Sequence, residues 1–166
     1  MPDFQPDHIL GVLARHAVDF VLIGGLAATA HGSPHLTYDV DITPDTRRDN
    51  LARLSTALQE LGARIRTQGV EGGLAFDHDA DSLAASGVWN LTTDFGDLDI
   101  SLRPTGTDGF DDLTRSAVSI HAYGVTIRLA ALEDIIRSKQ AADRDKDKLT
   151  LPTLREILAN RDLDSN

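Results

Sequence analysis

Two short stretches carry the residues best suited to chemistry. Asp39-Val-Asp-Ile and Asp97-Leu-Asp-Ile each set two carboxylates at alternate positions between aliphatic residues. In an extended strand Val40 and Ile42 turn to one side, and both acids of the pair turn to the other. Like charges so placed repel, and aspartate is a poor strand former. A divalent cation offsets both costs, and Mg²⁺ takes carboxylate oxygens while keeping some of its waters. The other reading is an exposed edge strand that carries two acids for solubility. Context decides which pairs matter. The chain holds seven Asp-x-Asp pairs among 22 aspartates in 166 residues, where random placement gives roughly three. Asp77/Asp79, Asp79/Asp81, Asp143/Asp145, Asp145/Asp147 and Asp162/Asp164 lie in polar surroundings and read as solvated segments.

Upstream of the first pair, Val21-Leu-Ile-Gly-Gly-Leu-Ala-Ala-Thr-Ala reads as strand, glycine turn and helix. Gly24 and Gly25 let backbone come close to a ligand, and a following helix presents free N–H groups to phosphate. A plain tight turn reads the same way. The spacing is neither the Gly-x-Gly-x-x-Gly of dinucleotide-binding folds nor a P-loop, since no Gly-Lys-Ser/Thr follows. A glycine turn followed by a carboxylate pair is nevertheless the combination that a metal-bound triphosphate requires.

The elements that must position these groups follow from periodicity. Helical spacing of Ile9, Leu10, Leu13 and Ala17 predicts a helix over 6–16, with Pro6 in its first turn. A buried strand over 20–23 precedes the turn, and a small-residue helix over 26–31 ends at Gly32. Alternation predicts a strand over 38–43; Asp45 or Thr46 then caps a helix through Leu61, stopped by Gly62. Strands are expected over 63–66, 88–93, 96–102 and 125–129, with no assignment for the Gly- and Asp-rich passage up to Asp81. Helices over 110–115, 132–142 and 152–158 complete the reading. Several strands adjoin without helical crossovers. The expected class is therefore α/β of the α+β kind: a mixed sheet with helices packed on it.

Length and composition set the outer bounds. One domain over 1–166 is expected, with 41% hydrophobic and 25% charged residues and a formal charge of −10. Lacking cysteine, the chain has no disulfide, thiolate metal site or Cys nucleophile. The acidic, polar residues 1–8 do not form a signal-peptide pattern, and the longest apolar run, 20–30, is interrupted by Gly24-Gly25. A soluble cytoplasmic protein without membrane association is the expectation. An acidic surface opposes broad nucleic-acid binding, which needs Lys and Arg on phosphates, but suits a cation-collecting site.

On Gly24-Gly25, on Asp39 and Asp41 within Thr37-Tyr-Asp-Val-Asp-Ile, and on Asp99 within Gly96-Asp-Leu-Asp-Ile, the chain resembles the nucleotidyltransferase superfold of the DNA polymerase beta type. More narrowly it resembles the AbiEii and MenT-type toxins of toxin–antitoxin systems. There the match is a Gly-Gly-x-Ala-x-x-x-His-Gly stretch at 24–32 and a Lys-x-x-x-x-Arg-x-Lys-Asp run at Lys139, Arg144, Lys146 and Asp147. The likeness extends over about 18–158, with helices from about 131 completing the site. It implies transfer of NMP from an NTP, with pyrophosphate released. Asp39 and Asp41 would hold two Mg²⁺ ions about 4 Å apart. Asp99 would complete one of them and take the acceptor proton. Lys139 would neutralise phosphate charge, Asp147 would orient Lys139 or the metal shell, and Gly24, Gly25 and Arg144 would bind the nucleotide. Many members of the superfold have Gly-Ser at the turn; with Gly25 in that place, the triphosphate would rely on backbone N–H groups.

The toxin resemblance implies the 3′ end of tRNA as acceptor and a cognate antitoxin as partner. In some relatives that antitoxin is a kinase, which would make Thr37 a phosphorylation site beside Asp39. Two modest basic stretches fit an RNA acceptor: residues 47–66 carry five arginines against two acids, and 137–148 carry five cations against three acids. Solvated helix faces explain them equally well. The other readings are transfer to a small-molecule or protein hydroxyl, and a non-catalytic domain that binds nucleotide or antitoxin. The six histidines show no zinc spacing; His31 is expected to pack at a helix end, Trp89 in the core, and Asp97 in solvent.

Overall fold

A computed structural model describes residues 2–166. Its elements are α1 (Pro6–Arg15), β1 (Phe20–Ile23), α2 (Gly24–Ala30), β2 (Asp39–Pro44), α3 (Arg48–Glu60), β3 (Arg64–Ile65), α4 (Ala80–Ala85), β4 (Val88–Thr93), β5 (Gly96–Ser101), α5 (Phe110–Thr114), β6 (Val118–Ala122), β7 (Val125–Leu129), α6 (Leu132–Ala142) and α7 (Asp145–Asp164). The strands form a seven-stranded sheet in the order β3-β4-β5-β2-β1-β7-β6. β2 runs parallel to β5 and β1 parallel to β7, and the remaining neighbours are antiparallel. This is the mixed sheet that adjacent strands without crossover helices require.

The alternating pattern of β2 and β5 divides the sheet into two faces. Val40, Ile42, Leu98 and Ile100 are buried on one face, among Ile9, Leu10, Leu13, Leu51, Leu54 and Leu58 of α1 and α3. The odd-numbered acids point to the other face. Parallel pairing aligns Asp39 with Asp97 and Asp41 with Asp99. Because side chains alternate with period two, this register puts all four carboxylates on one surface.

Several boundaries differ from expectation for local reasons. α2 begins at Gly24 itself, without the intervening turn residues. Neither Asp45 nor Thr46 caps α3. Arg47 is the N-cap, while buried Asp45 accepts from the Arg47 backbone N–H at 3.0 Å and binds its guanidinium. Within the unassigned passage Asp79 and Ser82 form a reciprocal capping box that starts α4. β6, where no strand is expected, pairs with β7 as a hairpin. α7 starts at Asp145 and continues through Pro152, which the expected span had placed in the first turn. Proline removes one helical hydrogen bond, but Leu151 and Leu154 are buried on either side of it and hold the helix on the domain. No helix among the described residues is long and apolar enough to cross a membrane.

His31 packs at a helix end, as expected: one ring nitrogen lies 2.8 Å from the Ala130 carbonyl, and the other accepts from Arg161 at 3.1 Å. Trp89 is on the core face, stacked on Phe76 and donating its indole N–H to Leu83 O at 3.1 Å.

Candidate active site

On the open face of the sheet, Asp39, Asp41 and Asp99 each offer an oxygen, and the three oxygens lie within 4.8 Å of one another. They belong to a cavity of about 780 Å³. One wall is basic, with Lys139, Arg144 and Lys146 from the α6–α7 corner; the other, from β4 and β5, presents Val88, Asn90 and Ser101 beside the Asp99–Arg66 pair. Thr37 and the glycine turn close the end nearest Asp39.

Electrostatics marks the acids as short of positive charge. Burial, then Asp39, then Asp99 push the Asp41 carboxyl up to about 7, against a smaller opposing pull from Lys146 and Lys139. Burial likewise raises Asp99 to about 6, although Arg66 draws it down. Closely packed oxygens whose ionised forms are unfavourable suit a hard divalent cation, which relieves both burial and repulsion. The donor set, all carboxylate oxygens, fits Mg²⁺.

The glycines are where they are for want of space. Gly24 has φ +72°, and a Cβ there would stand 2.7 Å from Asp41 Cγ and 2.8 Å from its Cβ, with Oδ2 nearer still. A Cβ on Gly25 would meet Thr37 Cβ and Oγ1 at 2.9 Å. The Thr37 side chain thus occupies the space a serine at this turn would take, and its hydroxyl donates to Asp39 Oδ1 at 2.9 Å. This bears on the missing serine, because a hydroxyl is present at the turn although the chain supplies it from elsewhere.

Asp147 is fully buried behind the basic wall and is not among the clustered carboxylates. It accepts from Arg144 Nε at 2.8 Å and from the Arg144 guanidinium at 3.2 Å, and lies 3.6 Å from Lys139 Nζ. Burial alone would raise this carboxyl; the Arg144 hydrogen bonds and the Lys139 charge outweigh it and hold it low. The arrangement matches orientation of Lys139 and departs from a place in a metal shell. Asp147→Ala should therefore destabilise the protein by about 2 kcal/mol, below the range for fully buried pairs because Arg144 is largely exposed. A urea melt checks this; a loss of divalent affinity with unchanged stability would contradict it.

Arg66 was not singled out for the site by its sequence context, yet it reaches into it. Its guanidinium lies 2.6 Å from Asp99 Oδ1 and 3.0 Å from Asp97 Oδ2. Asp97, expected in solvent, is therefore held by an ion pair. The basic stretch 47–66 is also spent internally: Arg47 pairs with Asp45, Arg48 with Asp81, Arg53 with Asp49, and Arg64 with Asp94. Spacing could not reveal the pairs of Arg48, Arg64 and Arg66, whose partners lie about thirty positions away in the chain.

The seven-stranded mixed sheet with its packed helices is a fold shared with solved structures described as nucleotidyltransferases, among them these three. LnuA, a lincosamide antibiotic adenylyltransferase solved with lincomycin bound, has TM-score 0.61 and 15% identity, over 95% of this chain and 99% of that one. TM1012 from Thermotoga maritima, assigned as a nucleotidyltransferase, has TM-score 0.51 and 20% identity over 96% and 97%. The antibiotic-resistance factor ANT(2'')-Ia has TM-score 0.55 and 16% identity over 92% and 80%. At such identities the likeness is one of fold. No family model and no curated protein matches the sequence.

Proposed function

We propose that this chain is a Mg²⁺-dependent nucleotidyltransferase that moves NMP from an NTP to an acceptor hydroxyl and releases pyrophosphate. The observation that carries this is the convergence of Asp39, Asp41 and Asp99 beside Gly24 and Gly25. Asp39 and Asp41 would hold two Mg²⁺ ions, with Asp99 completing one; bound there, they supply charge neutralisation and a more acidic acceptor hydroxyl. Gly24 and Gly25 let Asp41 and Thr37 close against the turn, where the backbone N–H groups that open α2 would take phosphate. Lys139, braced by Asp147, and Arg144 with Lys146 take up triphosphate charge from the opposite wall. The acceptor oxygen bonds to the α-phosphorus as the bond to pyrophosphate breaks, and Asp99 receives the hydroxyl proton.

The resemblance to AbiEii and MenT-type toxins supports the 3′ end of tRNA as acceptor and an antitoxin as partner. A kinase antitoxin would act through Thr37. Phosphate on its hydroxyl would stand against Asp39 and repel the incoming triphosphate. A second reading, a small-molecule hydroxyl, is favoured by the internal pairing of Arg47, Arg48, Arg53, Arg64 and Arg66, which leaves that basic stretch spent within the chain. Two of the fold neighbours bear antibiotic-related descriptions, which also supports it.

The deciding experiment incubates the protein with Mg²⁺, each labelled NTP in turn, and either total RNA or a panel of lincosamides and other hydroxyl-bearing antibiotics. Label on tRNA supports the first acceptor and label on an antibiotic the second. Label on nothing, with wild type and Asp41→Asn alike, would overturn the transferase reading.

A further inference from the structure

Arg66 joins the acid cluster from the position just after β3, where the backbone is firmly set. Its backbone N–H donates to Asn90 O at 2.9 Å, and neighbouring Ile65 exchanges two hydrogen bonds with Leu74, at 2.8 and 2.9 Å. From that base the side chain crosses β4, donating to Leu91 O at 3.2 Å on the way, and forks between Asp97 and Asp99. The guanidinium never loses its charge and has donors for two carboxylates at once. It is thus a fixed monocation on an oxygen set that a divalent ion would also use, and its contact with Asp99 Oδ1, at 2.6 Å, is the shorter of its two ion pairs.

We propose that Arg66 is an internal counter-cation for the acid cluster: it neutralises Asp99 in the metal-free protein and competes with the divalent ion for that carboxylate. This rests on the metal-binding reading above. Asp97 is the anchor that allows the exchange. Held by Asp97 and by Leu91 O, the guanidinium can give up Asp99 without leaving the site or losing its charge partner. The consequence is a low affinity for free divalent ions until a triphosphate, carrying its own charge, arrives with them. Arg66 is a positioning residue in this scheme and touches neither nucleotide nor acceptor.

The test titrates metal-free protein with Mn²⁺ alone, without nucleotide, and follows the free ion by its paramagnetic resonance signal. Arg66→Ala should bind Mn²⁺ about tenfold more tightly than wild type, because the competing charge is gone. Arg66→Lys, which keeps the charge but not the fork, should stay within about threefold. Should the alanine variant fail to fold by circular dichroism, Arg66→Gln keeps the length of the side chain and should still gain about fivefold. Unchanged or weaker Mn²⁺ binding in the folded neutral variants overturns the proposal, since Arg66 would then only orient Asp99. If neither wild type nor the folded neutral variants show saturable Mn²⁺ binding that Asp41→Asn removes, the metal reading fails instead.

Discussion

Asp41→Asn should lower nucleotidyl transfer by about a thousandfold or more while making the metal-free protein more stable at neutral pH. The rate loss follows from removing a ligand at the centre of the cluster, where a few kcal/mol of transition-state charge stabilisation are at stake. The gain in stability comes from the same carboxylate. Its pKa is about 7 in the folded protein against 3.8 for the free group, so the folded state holds the proton more tightly than the unfolded one. Below about pH 4 both states are protonated and nothing is lost. Between about pH 4 and 7 the unfolded chain releases the proton first, and the folded wild type loses stability on the order of a few kcal/mol. Asparagine mimics the neutral acid throughout. Thermal melts without metal should therefore coincide near pH 4 and separate by several degrees at pH 8, with the variant higher. Added Mg²⁺ should close the gap from the wild-type side. A variant less stable than wild type at pH 8 would show that Asp41 is not the strained group described here.

Gly24→Ala should cost almost as much activity, about a hundredfold or more, by a different route. A left-handed φ penalises any side chain by roughly 1–2 kcal/mol. The larger effect is spatial, because the new methyl would overlap Asp41 and force its carboxylate from the cluster. Mn²⁺ binding should weaken in parallel with turnover. Gly11→Ala is the control: nothing lies within 4 Å of the added methyl, and the exchange in mid-helix should stabilise by about 0.5–1 kcal/mol. If Gly24→Ala bound Mn²⁺ as wild type does, the close approach of turn and carboxylate would have no functional weight.

What sequence revealed here was what depends on neighbours a few residues away. Asp39-Val-Asp-Ile encodes its own two faces, and the run Phe20–Ile23 ending in glycine encodes a buried strand and a turn. The parallel register that brings Asp99 to Asp41 was legible only through the resemblance, because no local rule aligns residues 58 apart. α4 had a readable signal, Asp79 and Ser82 at capping-box spacing, obscured by the acidic run around it. The hairpin of β6 and β7 was signalled too, by the alternation before Tyr123-Gly124. Pro152 misdirected the start of α7, since proline more often opens a helix than lies within one. Arg66 carried no local mark at all; its place in the site depends on a fork whose two partners both sit on β5.

Arg161 near the end of α7 reaches back to His31 at the end of α2, and α6 packs between these two helices. The glycine bend at one end of α2 and the lysine-bearing corner at the start of α7 thus belong to one clamped unit. On the proposed function, that flank would meet a nucleotide already set, and the part of the cavity across from it, where Val88 stands half bare to water, is left to the acceptor.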